Sequence, residues 1–286
     1  MISKKSRLTK ECTFDSTSIS PQVDQLNRRL IITSIPSPLP PTFASSIIEV
    51  AKKEKLEKIW LWAPIRELAP LLEQGFLLEG IIEGEKKEKT MATMAYYIVP
   101  QRGISRKTEE EKALLHAIAE KPIKKLDPLP SSYDLRFLQS RDSFAISKLL
   151  REVFETYPSP VDNPAYIQEL MTKGCLFAGA FYEDKLVSLV AGYPEKEWMR
   201  CEITDCATHQ DHRGLAFTER LIPLVEKAML KKGDYRFYTL ARATSYGVNR
   251  VFYKLGYRYQ GRLINNCDIA GSYEDMNLWV KYNINY

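Results

Sequence analysis

"CEITDCATHQDHRGLAFTERLIPLVEKAM", residues 201–229, decides the fold. Its opening reads as a strand, and its end places Phe217, Leu221, Leu224, Val225, Ala228 and Met229 near a 3.6-residue period, as an amphipathic helix docked on a sheet does. Between them stand Arg213 and Gly214, which an ordinary strand-to-helix turn does not need. The first backbone N–H groups of a helix have no intrahelical partner and the dipole is positive there, so together they can hold a phosphate. An anion is the natural occupant. The plain alternative is a turn with Arg213 in solvent.

A second stretch weighs against the plain reading. In "ATSYGVNRVFYKLGY", residues 243–257, Ser245 can cap a helix and Gly256 can end it, while Asn249 and Tyr253 sit four apart on one face. Val251, Phe252 and Leu255 supply the opposite, apolar side.

Working outward, residues 133–281 read strand, helix, helix, three strands, the 215–231 helix, strand, the 246–255 helix and terminal strands. Residues up to 24 are polar and aperiodic, and read as a flexible tail. Residues 25–105 read as a βαβαβ unit with a closing strand, and 106–132 as a connecting helix, opened by a Thr108/Glu111 capping box, and a Pro-rich linker. "LLEQGFLLEG" at 71–80 echoes "FYKLGYRYQG" at 252–261, which makes the first domain a partial copy of the later half of the second, or the echo a chance recurrence of a common helix-ending pattern. In that alignment the Pro-rich "PSPLPP" falls where the second domain has "HQDHRGLAFT"; prolines lack N–H donors, so the copy has lost what the loop does.

Composition narrows the function. A chain of 286 residues that is 44% hydrophobic and 27% charged can bury cores in two domains without covalent staples. Its net charge of +5 suits an anionic small ligand and does not imply nucleic acid. Five scattered cysteines read as reduced thiols of a cytoplasmic protein, and no apolar run approaches a membrane span or a signal peptide. Cys206, His209 and His212 are evenly spaced around Asp211, but three histidines in the whole chain do not supply a supported metal site, so no metal is assigned. Cys206 as a covalent nucleophile lacks a placed base and reads as a buried thiol.

"R-G-L-A-F-T" after a strand, followed further on by "N-x-x-F-Y-x-x-G-Y", resembles the paired coenzyme-A motifs of the GNAT N-acetyltransferases. The likeness covers 133 to about 281. "DCAT…RG", "ARATSYGVNRVFYKLGYRYQGRLINN" and "EDMNLWVK" are similar to the β-lysine N6-acetyltransferase branch, which makes an osmolyte. The resemblance implies an α+β GNAT fold, a mixed central sheet flanked by helices, over 133–286, with a degenerate GNAT-like α/β half-domain before it. It implies acetyl-CoA as co-substrate, held by Ala207, Thr208, Arg213, Gly214, Leu215, Ala216, Phe217, Thr218, Asn249 and Tyr253. Ala216 and Thr218 depart from the family's loop pattern, and a Cβ at 216 crowds a backbone that must approach phosphate. Pro223 interrupts the following helix.

The implied reaction needs a base, because an amine of pKa near 10 is protonated at pH 7 (about 10.4 for a lysine side chain). The family's position for it falls on Glu202, with Asp205, on the strand's other face, as competitor. Backbone N–H groups beside Cys206 and Ala207 would meet the oxyanion, and Tyr253, at the family's position, would protonate the departing thiolate. For a small diamino acid, Arg242 would meet the carboxylate and Asp205 an ammonium, with Tyr157, Asn265 and Asn266 as further substrate contacts. Other readings stay open at this stage: a peptide or polyamine acetyltransferase, or a non-catalytic coenzyme-A-binding regulator.

Overall fold

The computed structural model describes residues 8–9, 12–14, 17–154, 159–233, 235–269 and 271–282. Two compact units emerge: 1–112 with 242–244 and 260–278, and 113–241 with 245–259 and 279–286. The sequence placed the division in the Pro-rich segment after Glu120 and kept the terminal strands with the second domain. The structure differs because the terminal strand Arg258–Ile269 ladders with Leu77–Ile82, so its 260–269 portion joins the first unit.

In the first unit, Arg29–Ile32 runs parallel to Lys58–Pro64, with the helix Phe43–Lys53 as the crossover between them. Phe43, Ala44, Ile47 and Ala51 form the buried stripe of that helix and pack on Leu30, Ile32, Ile59 and Leu61 of the strands. Met91–Tyr97 then pairs antiparallel with both Lys58–Pro64 and Leu77–Ile82. The supposed tail is a correction: Gln22–Asp24 forms a strand against Arg29–Ile32. Val23 is buried, and the Asp24 carboxylate accepts from Asn27 and Arg29, tying the turn between the two strands. Lys58, fully buried, donates to both oxygens of Glu79 and to the Ile264 carbonyl, and Tyr97 donates to Glu79 as well, so this buried charge pair is satisfied on every side.

The C-terminal ends of the two echoing segments meet in this unit. Gly80 and Gly261, which occupy aligned positions, face each other across the antiparallel ladder. A Cβ on Gly261 would lie 2.1 Å from the Glu79 carbonyl oxygen, so only glycine permits that approach. The Pro-rich loop before the helix spends its donors internally: Ser37 Oγ and the Leu39 N–H both donate to the buried Glu67 carboxylate.

In the second unit the strands lie in the order Arg236–Arg242, Arg200–Thr208, Lys185–Glu195, Leu176–Tyr182, Tyr133–Phe137. Arg200–Thr208 and Arg236–Arg242 are parallel, with the helix Phe217–Leu230 as crossover, and the remaining pairs are antiparallel. Phe217, Leu221, Ile222, Val225 and Met229 bury that helix on Ala178, Val190, Cys201 and Ile203. At about 1.5–3 kcal/mol for each buried apolar side chain, this face alone fixes where the loop before the helix points. Ile222 takes a core place the periodicity gave to Leu224 and Ala228, which are half-buried, while Pro223 faces solvent. Helices Ser143–Val153 and Pro164–Thr172 cover the sheet elsewhere, with Ile146, Leu149, Leu150 and Ile167 packed on Phe177, Leu189 and Ala207.

Candidate active site

The strand Arg200–Thr208 is bulged. Its register with Lys185–Glu195 runs from Leu189 opposite Ala207 to Ala191 opposite Thr204, so Asp205 and Cys206 together face Val190. Asp205 carries the extra residue in a left-handed backbone, φ 50°. A bulge reverses the alternation of side chains, and this corrects the sequence reading of the two carboxylates. Tyr193 lies opposite Glu202 and therefore shares its face, and the Tyr193 hydroxyl donates to Asp205 Oδ2 at 2.5 Å. Glu202 and Asp205 thus lie on one face, with Asp205 buried and Glu202 half-buried.

Past the bulge, Ala207 is buried, and the Thr208 hydroxyl pairs with Ser188 Oγ at 2.8 Å. The chain then makes a short 3-10 turn, Gln210–His212, that is pinned by Tyr133: its hydroxyl bonds to His212 Nδ1 at 2.9 Å and its ring packs against Phe217. His209 engages Asp211 rather than a shared centre with His212. Among the described residues no group of three ligating side chains is placed to hold a metal. Burial pushes the Cys206 thiol up to about 12, which keeps it neutral at physiological pH.

The loop itself curls through two left-handed residues, Gly214 at φ 90° and Ala216 at φ 54°. Ala216 is the N-cap of the helix and supplies no side-chain cap, and Arg220 N–H makes the first backbone bond, to its carbonyl. A helix start with no side-chain cap, led by a curled loop, presents backbone N–H groups to an anion. Arg213 and Gly214 are exposed, Leu215, Ala216 and Thr218 half-buried, and Phe217 is anchored in the core. Arg220, which the sequence reading passed over, braces the loop: Nε donates to the Leu215 carbonyl at 3.1 Å and Nη2 to the Asp127 carbonyl.

The helix Tyr246–Lys254 carries the second motif and ends at the left-handed Gly256. Ser245 stands at its N-cap but makes no side-chain cap; its carbonyl instead accepts from the Asn249 side chain at 2.7 Å. Asn249 is fully buried, and its Oδ1 accepts from Trp279 Nε1 at 2.7 Å. Asn249 and Tyr253 both meet Trp279, whose ring centroid lies 6.4 Å from that of Tyr253; Asn249 is spent on holding the helix there, while among the described residues the half-buried Tyr253 hydroxyl makes one long 3.4 Å donation, to the Ala119 carbonyl. Arg250, also missed, donates to the carbonyls of Ile118, Lys121 and Pro122 and caps the end of the helix Thr108–Glu120.

Arg242, Asn265 and Asn266 belong to the first unit. Arg242 makes a two-pronged pair with Glu274, Nε and Nη2 each at 2.8 Å, so that edge of the guanidinium already holds a carboxylate. Burial opposes ionisation of Glu274, yet the bonds from Arg242 keep its carboxyl below the usual range. Asn265 ties the chain together, donating through Nδ2 to the carbonyls of Arg102 and Ile104. Asn266 is fully buried, and its side-chain amide makes no hydrogen bond among the described residues. Tyr157 lies outside the described residues. Glu202, Asp205, Tyr253 and the 207–218 loop are gathered in the second unit.

Residues 144–257 match the acetyltransferase (GNAT) family. Over 235 residues the chain is 34% identical to N-acetyltransferase YodP of Bacillus subtilis, covering 82% of this chain and 86% of the relative. It is 27% identical over 260 residues to a beta-lysine N(6)-acetyltransferase of Methanococcus maripaludis, 91% of this chain and 94% of the relative. It is 30% identical over 259 residues to the protein of that name from Methanosarcina mazei, 83% of this chain and 96% of the relative. Among the described residues no helix is long and apolar enough to cross a membrane.

Proposed function

The chain belongs to the acetyltransferase (GNAT) family and is an acetyl-CoA-dependent N-acetyltransferase, and from that premise we propose that it acetylates the N6 amine of β-lysine by direct transfer, forming an osmolyte. The observation that carries this reading is the alignment of two β-lysine N6-acetyltransferases along 91% and 83% of the chain. The relative of higher identity is named only as an N-acetyltransferase, which supports transfer to another small amine as the second reading.

The coenzyme pyrophosphate sits on the backbone N–H groups of 214–218, with Arg213 adding charge at the rim. Thr208 and the bulged strand beside Ala207 border the arm that leads to the thioester, and Asn249 acts by holding the helix of Tyr253 against Trp279. In the corresponding loop of the first unit the Ser37 hydroxyl and the Leu39 N–H are taken by Glu67, which supports coenzyme binding at the second unit's loop.

Glu202 takes a proton from the substrate ammonium, through water, and the free amine attacks the thioester carbonyl carbon. The N–C bond forms as the C–S bond breaks, backbone N–H groups at the bulge meet the developing oxyanion, and Tyr253 gives its proton to the departing sulfur. The products are an amide and a thiol. Thiol release from acetyl-CoA, followed with wild type and Glu202→Gln between pH 6 and 10, tests the assignment. The Gln variant loses most activity near neutrality and recovers at high pH, where the amine deprotonates unaided. A profile parallel to wild type removes Glu202 from the mechanism.

A further inference from the structure

The second unit begins within the helix Thr108–Glu120, and residues 121–132 after it form neither helix nor strand. This segment is docked all the same. Leu115 before it and Leu129 within it pack on the second unit's core. Arg250 holds the carbonyls of Ile118, Lys121 and Pro122, and Arg220 holds that of Asp127. The same Arg220 guanidinium donates to the Leu215 carbonyl at 3.1 Å, so at Asp127 the segment passes beside the loop that opens the helix Phe217–Leu230. All of these residues belong to the second unit.

Between the anchors at Pro122 and Asp127 stand Lys124 and Lys125, both exposed. Among the described residues neither has a carboxylate partner. Two adjacent ammonium groups without a counter-charge raise the local positive potential, and an anion beside them lowers it. Coenzyme A carries a second anion close to its pyrophosphate. The 3′-phosphate is a monoester of charge about −1.5 to −2, and it stands on the ribose whose 5′ oxygen bears the pyrophosphate. A pyrophosphate on the loop therefore brings the 3′-phosphate within one ribose of it.

We propose that this segment completes the coenzyme site, with Lys124 and Lys125 receiving the 3′-phosphate. The proposal rests on the pyrophosphate lying at residues 214–218. The segment precedes residues 144–257, the span that matches the family, so the contact is this chain's own.

Calorimetric titration of the full-length protein with coenzyme A and with 3′-dephospho-coenzyme A tests it. Wild type binds coenzyme A about tenfold more tightly than the dephospho form, or better. The double variant Lys124→Ala/Lys125→Ala, at exposed positions outside the core, loses that preference: its affinity for coenzyme A falls about tenfold, and its affinity for the dephospho form stays within about twofold of wild type. Lys231→Ala/Lys232→Ala, which removes the same charge from exposed positions at the far end of the helix Phe217–Leu230, keeps the preference. Equal affinity of wild type for the two ligands, a preference that survives in the Lys124/Lys125 variant, equal losses of both ligands in it, or loss of the preference in the Lys231/Lys232 variant overturns the proposal. In each of those cases the pyrophosphate assignment stands. That assignment is read separately by Arg213→Ala, which weakens both ligands alike; unchanged affinity for both in that variant contradicts it, whatever the lysines do.

Discussion

The Tyr193 hydroxyl donates to Asp205 Oδ2 at 2.5 Å, from a strand position directly opposite Glu202. One tyrosine thus links the bulge residue to the face that carries the proposed base. Tyr193→Phe leaves a buried carboxylate oxygen short of a donor, at a cost of about 1–3 kcal/mol in unfolding free energy. Urea denaturation reads that loss, and thiol release reads a fall of about tenfold in kcat as the bulge relaxes. Wild-type stability and rate in this variant mean that the bond positions nothing.

Tyr253→Phe lowers kcat by about 10² or more with little change in acetyl-CoA affinity, because it removes a proton donor that acts only in the transition state. The hydroxyl has only the long bond to Ala119 in the described structure, so its loss leaves the fold intact. Unchanged turnover excludes Tyr253 as the acid.

Arg213→Ala weakens acetyl-CoA binding, and Ala216→Gly strengthens it or leaves it alone. Ala216 holds a left-handed conformation at φ 54°, which disfavours a residue with a Cβ by about 1–2 kcal/mol, so glycine also raises stability. Calorimetry and thermal unfolding measure the two effects. Weaker coenzyme binding in the glycine variant contradicts the account of the loop.

The two motifs were legible because their backbone requirements are local: a glycine after an arginine at a helix opening, and Gly256 at a helix end. Element order followed from periodicity for the same reason, and the strands and helices of 133–281 come in the order the sequence put them. The bulge was not legible. It adds one residue relative to the neighbouring strand, a property of register that strand 200–208 does not carry alone, and so Asp205 was assigned to the wrong face. The partners of Arg242, Asn249 and Glu111 were hidden for a related reason, since Glu274, Trp279 and Arg262 stand far along the chain. Chemical type suggested ligand contacts for Arg242 and Asn249, and the tertiary fold gave both to the protein itself.

Glu111 makes stability depend on pH. Burial, with Asp275 adding to it, raises its carboxyl to about 7 in the folded chain, above the unfolded value of about 4.3. The protonated form is therefore favoured by folding: its contribution is complete below about 4.3 and is lost as pH rises through about 7. Glu111→Gln removes that loss, and Asn277 still accepts from Arg262 Nε at 3.2 Å. The melting temperature of the variant relative to wild type rises between pH 5 and pH 8. A constant or falling difference contradicts the assignment.

The most direct test of the central claim is the position of the acetyl group after reaction of the wild-type protein with acetyl-CoA and β-lysine, read by NMR of the product, together with kcat/KM for β-lysine, α-lysine and cadaverine. The account predicts acetylation at N6, with β-lysine preferred over α-lysine and both over cadaverine, because moving the amino group or deleting the carboxylate leaves a charged group of the site unpaired. Comparable rates on all three amines, acetylation at N3, or activity confined to peptide N-termini would contradict it.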